Sequence, residues 1–387
     1  MEKVKKINNQ CSGCGCCQKS CPVNAISMKF ENGFIYPSIN KEKCIKCGKC
    51  LKVCPFTKKQ FNDTSTTPLK VIGMVNNDEK VLMSSTSGGA FSLFSDYVLS
   101  KKGIIYGASY NNKWEVVHIS ADTSEKRDLL KGSKYVQSDL NNTFVDIKNE
   151  LNNGRLVMFT GTPCQCSGLK NYLGRDYDNL IICDIVCHGV PSPIIFSEYI
   201  KYIQKKRKSL IKSYNFRDKK VSWAGANITV EYENGKQYTN KIDEEIFSKL
   251  YFNHIITRPS CHECLYTNIK RISDLTIGDF WGIKEKHPDF YNEKGVSLVL
   301  LNSEKAIKIF EKIKDNCNYI ESNIEECLQP QLIKPTKKAA CQDEFWEDYN
   351  KYGIDYVMKK YTSVGIKNRI ISYIKRPLKI IYKRIKK

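Results

Sequence analysis

Several things are missing from this chain. Met1 to Gln10 is polar and has no apolar segment of the kind a secretion signal carries. No apolar run approaches the roughly 20 residues that a bilayer-spanning helix needs. No G-x-G-x-x-G follows a strand-like segment, so a Rossmann dinucleotide site is not supported. The formal net charge is +21. Even so, no recognition motif accompanies the charge, and no nucleic-acid partner is expected. Eighteen cysteines without a signal argue against a disulfide scaffold. Reduced thiols and a cytoplasmic location are expected instead.

The cysteines that are present are arranged. The first run is Cys11, Cys14, Cys17 and Cys21-Pro22, and the second is Cys44, Cys47, Cys50 and Cys54-Pro55. Both read C-x2-C-x2-C-x3-C-P, the spacing that holds [4Fe–4S] clusters in bacterial two-cluster ferredoxins. In that arrangement the fourth cysteine of each run serves the other cluster. One cluster then takes Cys11, Cys14, Cys17 and Cys54, and the other takes Cys44, Cys47, Cys50 and Cys21. A pair of zinc sites is the competing reading, although structural zinc uses other spacings. Cys16 falls outside the pattern and reads as a bystander.

The expected fold class is α+β, a mixed α/β arrangement in three parts: a ferredoxin-like two-cluster module at 1–60, a larger mixed-sheet flavin and iron–sulfur domain at 69–345, and a helical basic tail at 346–387. The stretch from Phe61 to Pro68 reads as a polar linker. Beyond it, helical and strand-like segments alternate. Helices are expected over 88–99, 143–151, 193–204 and 303–314. Strands are expected over 103–109, 115–120, 155–159, 180–186 and 296–301. Asn234-Gly235 between 227–232 and 237–241 is a hairpin signal.

Four stretches of the large domain stand out. Ser84–Ala90 (SSTSGGA) puts small residues at the start of a helix, where backbone amides can approach a phosphate or flavin. A merely small, polar loop is the plainer reading. Phe159–Leu169 (FTGTPCQCSGL) follows an apolar strand and places Cys164 near a helix start, where the dipole favours a thiolate. Cys183–Pro193 (CDIVCHGVPSP) ends another strand with Cys187-His188-Gly189. Arg258–Gly282 contains Cys261-x2-Cys264 and ends in GDFWG. Cys164, Cys187, Cys261 and Cys264 together supply the four thiolates of a third [4Fe–4S] cluster. Zinc and inert core cysteines are the alternatives. His188 reads more readily as a structural histidine bonded to backbone than as a catalytic one, and Asp279 as a turn former or a ligand. Cys166, Cys183, Cys317, Cys327 and Cys341 have no assigned role.

GTPCQ, CHGVPSP, the Cys-x2-Cys pair followed by a tyrosine, and GDFWG together resemble the coenzyme F-420 hydrogenase/dehydrogenase beta-subunit family, over roughly residues 1–340. The resemblance implies an FAD-binding domain with its own [4Fe–4S] cluster, passing electrons between one-electron carriers and a two-electron substrate. It also implies FAD contacts from Ser87, Gly88 and Gly89, from Lys134 and Tyr135 in GSKY, and from Thr160, Gly161 and Thr162. The function expected is an iron–sulfur flavoprotein oxidoreductase with an electron donor or acceptor protein, or a small redox carrier, as partner. Substrate, direction of flow and catalytic residues are left open. A non-catalytic electron-transfer subunit feeding a partner enzyme is the alternative.

Residues 366–387 carry nine Lys/Arg and no acid, with apolar residues near helical spacing. Such a basic amphipathic helix is what a surface membrane anchor looks like. A solvated helix docked on its own protein is the plainer reading. Peripheral contact with the inner membrane face is expected through this tail, if anywhere.

Overall fold

The computed structural model describes residues 10–56 and 65–362. The basic tail, the polar start up to residue 9 and most of the expected linker lie outside the described residues. No described helix is long and apolar enough to cross a membrane.

The cysteine-rich segment repeats in structure as it does in sequence. Two single-turn helices, α1 (Cys16–Lys19) and α2 (Lys49–Lys52), flank an antiparallel hairpin of β1 (Ile26–Glu31) and β2 (Phe34–Ile39). Each helix follows a left-handed glycine, Gly15 or Gly48, with φ of 72°.

The rest is built on an eight-stranded mixed sheet. In chain order it uses β3 (Lys70–Asn76), β4 (Ile104–Tyr110), β5 (Val116–Ala121), β6 (Val157–Gly161) and β7 (Leu180–Ile185). Three strands that pair apart follow, β8 (Ile211–Asn215), β9 (Thr229–Tyr232) and β10 (Gln237–Thr239). The main sheet resumes with β11 (Leu275–Asp279), β12 (Ser297–Leu301) and β13 (Cys317–Ser322). The spatial order is β13-β3-β12-β11-β7-β6-β4-β5. Its centre, β11-β7-β6-β4, is parallel, and the outer strands are antiparallel.

The central strands are buried on both faces, which is why they read as continuous apolar runs. Met158, Ile181 and Cys183 point into the core formed with α3 (Ala90–Ser100) and the Ile309–Ile313 face of a later helix. Val157, Phe159, Leu180 and Ile182 alternate to the other face, against α4 (Thr143–Asn152) and α5 (Pro163–Leu173). Cys14, Cys16 and Phe56 join this second core, so the cysteine-rich segment packs directly on the sheet domain.

A third core is laid down by α6 (Pro193–Arg207), the β8–β10 sheet and α7 (Ile246–Phe252). After α8 (Glu304–Ile313), the helices α9 (Gln342–Tyr352) and α10 (Ile354–Tyr361) add Phe345, Val357 and Met358 to it. The expected helices and strands all form, with ends shifted by one to three residues. β11 was not expected: GDFWG begins on a strand, with Gly278 and Asp279 in register with Leu298 and Ser297 of β12.

Candidate iron–sulfur and cofactor site

The four thiols assigned by spacing to one ferredoxin cluster, Cys11, Cys14, Cys17 and Cys54, line a single small cavity, with Cys50 at its edge. Burial pushes the Cys14, Cys17 and Cys54 thiols up, and neighbouring thiols push them further. The Gly13 N–H donates to Cys11 Sγ at 3.4 Å. In the second set, Cys50 is pushed up by burial and then by Cys44 and Cys47. Cys47 is exposed. Cys21 Sγ accepts from the Ala25 N–H at 3.2 Å. Cys16 has no exposed surface and directs its thiol to the Val53 carbonyl at 3.4 Å, away from this cavity.

Residues far apart in sequence meet in a second small cavity, where Cys164, Cys187, Cys261 and Cys264 all contribute to the wall. Cys164 is placed by α5, whose first turn is set by Pro163 and by Gln165 Oε1 accepting from the Thr162 N–H at 3.0 Å. Cys187 follows the carboxyl end of β7. Cys261 lies in a short 3-10 turn with Cys264 just past its end. Burial dominates the dipole effect expected at Cys164 and raises its thiol. Cys187 and Cys264 are each pushed up to about 12, by burial first and by the neighbouring thiols next. Cys261 goes well above its ordinary value for the same reasons. Backbone N–H groups of Gly189 and Tyr266 donate to Cys187 and Cys264 Sγ at 3.4 Å each. Among the described residues, no group of three or more His, Cys, Asp or Glu is drawn in tightly enough to hold a single metal ion.

A cavity of about 610 Å³ opens at the carboxyl ends of the parallel strands, the end where open α/β sheets gather ligands. Ala108, Thr160, Gly161, Ile185, Val186 and Ile277 bring β4, β6, β7 and β11 to its wall. Ser87, Gly89, Lys134, Tyr135 and Thr162 also line it. Gly88 does not: a Cβ there would stand 2.1 Å from the Met74 carbonyl and 2.5 Å from the Ser297 N. Its role is close packing of the loop on β3 and β12. Lys219 Nζ, which sequence reasoning missed, clamps the same loop by donating to the Leu82 and Ser87 carbonyls at 2.7 and 2.6 Å.

The cavity wall holds polar atoms without partners. His118 Nε2 lies 3.0 Å from the Thr160 carbonyl, so it carries the proton and leaves Nδ1 as a buried acceptor with no partner. Gln331 Nε2 donates to His188 Nδ1 at 2.6 Å, which leaves His188 Nε2–H a buried donor with no partner. His188 is therefore held by a side-chain amide and not by backbone. Burial lowers both rings to about 4 and keeps them neutral. Lys134 Nζ donates to the Lys131 carbonyl at 2.7 Å, and burial lowers it to about 7. Asp279, by contrast, is fully engaged. It pairs with Arg217 at 3.0 Å, accepts from Trp223 Nε1 at 2.7 Å, and so fixes GDFWG.

The two cysteine-lined cavities are joined by Arg258, which has no exposed surface. Its guanidinium donates to the Cys11 carbonyl at 2.7 Å, to Gln137 Oε1 at 2.9 Å and to the Ile35 carbonyl at 3.0 Å, and it stacks 4.2 Å above Tyr36. Tyr266, beside Cys264, donates its hydroxyl to the Pro55 carbonyl at 2.8 Å. Ser12 lines the Cys164 cavity. On the other side of the first cavity, a Cβ at Gly168 of α5 would come within 3.0 Å of Cys14 Sγ.

Paired cysteine runs on a small repeat, set against a mixed α/β domain, define an iron–sulfur protein of the electron-transferring oxidoreductase class. Residues 154–326 belong to the family described as the C-terminal part of the coenzyme F420 hydrogenase/dehydrogenase beta subunit, and residues 10–58 are a 4Fe-4S dicluster domain. The first match contains Cys164, Cys187, Cys261 and Cys264 but stops short of Ser87–Gly89 and Lys134–Tyr135. Among solved structures, the chain is similar to one from the F420-reducing [NiFe] hydrogenase complex of Methanosarcina barkeri. The two are 18% identical, with 76% of this chain and 91% of that one covered and a TM-score of 0.46. No curated protein matches.

Proposed function

We propose that this chain is an FAD-containing oxidoreductase that moves electrons between three [4Fe–4S] clusters and a two-electron substrate. The observation that carries this reading is a shared wall. Cys187, Gly189 and Val190 border both the four-cysteine cavity and the 610 Å³ cavity. A cluster held by Cys164, Cys187, Cys261 and Cys264 would therefore adjoin whatever occupies the larger space.

The donor sets fit these groups. Four thiols buried together cannot all ionise in the bare protein, and iron is what turns such a set into thiolates. The large cavity offers an unpartnered acceptor at His118, an unpartnered donor at His188 and a cation at Lys134. Those are complements for a ligand with both N–H and carbonyl edges and an anionic arm, as FAD has. When bound, a flavin exchanges electrons singly with a cluster and in pairs with an organic substrate.

The chain's own residues then have separable tasks. Ser87, Gly89, Thr160, Gly161 and Thr162 shape the wall and let backbone amides approach. Lys134 and Tyr135 close the polar end, with Lys134 pairing an anion. Gly88 and Lys219 hold the loop in place. The Gly189 and Tyr266 N–H groups, bonded to cluster thiolates, set the potential of the third cluster. The ferredoxin module takes its two clusters from Cys11, Cys14, Cys17 and Cys54, and from Cys44, Cys47, Cys50 and Cys21, and exchanges electrons with a carrier.

The test is composition of anaerobically purified protein. About twelve irons, about twelve sulfides and about one FAD per chain are expected, with EPR signals on reduction. About eight irons without flavin would remove the third cluster and the converter reading with it.

A further inference from the structure

The two cysteine runs are alike in spacing and unlike in surroundings. The set with Cys14 is sealed: Cys14 is buried, α5 covers it, and Arg258 fastens its loop to the large domain. The set with Cys47 faces outward. Cys47 is exposed, and the loop around it carries Lys41, Lys43, Lys46, Lys49 and Lys52, all exposed, against a single acid, Glu42. Among the described residues, none of these five lysines is in an ion pair with a carboxylate. Between them Ile45 leaves 61% of its surface in water. The first loop has only Lys19, which is bonded to Asn142 Oδ1 at 2.8 Å. Unpaired lysines ringing an exposed aliphatic side chain cost the monomer self-repulsion, and they do nothing for the packing of the module.

We propose that the Lys41–Lys52 loop is the docking surface for an acidic one-electron carrier protein, with Ile45 as its apolar contact and the lysines as its electrostatic guide. This rests on the reading of Cys44, Cys47, Cys50 and Cys21 as cluster ligands. Charge complementarity selects the partner. A carboxylate-rich face is drawn to this loop, and the same field turns away basic carriers. The step is electron transfer alone: the carrier is oxidised by one electron and the outer cluster is reduced by one. No bond is made or broken and no proton moves. Electrons then pass inward through the sealed cluster.

The test uses the full, cluster-loaded protein and two reductants in stopped flow: a reduced, strongly acidic two-cluster ferredoxin, and reduced methyl viologen, a small cation. The wild type and the charge-reversed K43E/K46E/K49E protein are compared, with iron content and EPR confirming intact clusters in both. With the ferredoxin, the second-order rate should fall about tenfold or more in the variant at low salt. The wild-type rate should also fall steeply between about 0.01 and 0.15 M salt, as screening shortens from about 30 to about 8 Å. With viologen, the variant should react at least as fast as the wild type. A ferredoxin rate that ignores both the charge reversal and salt overturns the docking surface while viologen still reduces the clusters. Failure of both reductants to reduce the outer cluster would overturn the ligand reading beneath it. Charge-dependent binding to anionic lipid vesicles with an unchanged ferredoxin rate would assign the loop to a membrane and overturn the proposal.

Discussion

Replacing Arg258 by alanine should loosen the cysteine-rich module from the sheet domain without unfolding either. The side chain has no exposed surface and three short bonds, to the Cys11 and Ile35 carbonyls and to Gln137 Oε1. Its removal leaves three buried oxygens short of a donor, each worth about 1–3 kcal/mol. Relief from burying a cation and entry of water into the gap offset part of that. A net loss of about 3 kcal/mol remains, or about a hundredfold in the equilibrium between docked and undocked module. Amide hydrogen exchange followed by mass spectrometry on the cluster-loaded protein reads this directly. Exchange over 11–19 and 34–39 should speed up about a hundredfold, and exchange within β6 and β7 should not change. Arg258→Lys keeps the charge but not the planar fork, so it should fall between the two. Electron passage from the module to the third cluster, followed by freeze-quench EPR, should slow in the same order. Acceleration below about threefold, with undiminished electron passage, would show that Arg258 does not fasten the module.

Three further outcomes follow from the site. Cys264→Ala should lower iron from about twelve to about eight per chain and leave the ferredoxin EPR signals in place; loss of all iron would mean the clusters are not separate units. Gly88→Ala drives a Cβ onto the Met74 carbonyl and the Ser297 N, so purified protein should lose its flavin absorbance while keeping its iron. Lys134, held down to about 7 by burial, is charged below that pH and neutral above it. Affinity of the flavin-free protein for FAD should therefore weaken as pH rises from 6 to 9, with about one proton taken up on binding at pH 8, and Lys134→Met should flatten that dependence. The same depression makes the unfolded chain bind the extra proton between about 7 and the ordinary lysine value, so this group's contribution to stability rises with pH across that window.

Much of the fold and of the metal sites is legible in the sequence because it is local. A thiolate spacing of two, two and three residues is a statement about one turn of chain. Val157–Phe159 and Leu180–Cys183 read as buried strands because both faces of a central parallel strand must be apolar. What stayed hidden depends on distant chain segments meeting. Nothing around Arg258 predicts that its donors reach Cys11 and Ile35, 247 and 223 residues away. Gly88 looked like part of a ligand loop because a glycine kept for close backbone packing and one kept for ligand approach look the same in sequence. GDFWG hid β11 because its strand residues, Leu275 to Asp279, include a glycine and two polar side chains, Thr276 and Asp279, tolerated there by pairing with β7 and β12. His118 carried no motif at all; only the fold shows its bare nitrogen on a cavity wall.

The sealed position of Cys14 bears on how the molecule is made. Its thiol lies beneath α5 once the module is docked, with no route for an incoming iron–sulfur precursor except through the packed interface. On the proposed ligand assignment, cluster delivery comes first and closure second, so the metal acts as a checkpoint on maturation. Chains produced under iron starvation should then accumulate as open, protease-sensitive molecules that added iron and sulfide can still close, and not as a closed, empty shell.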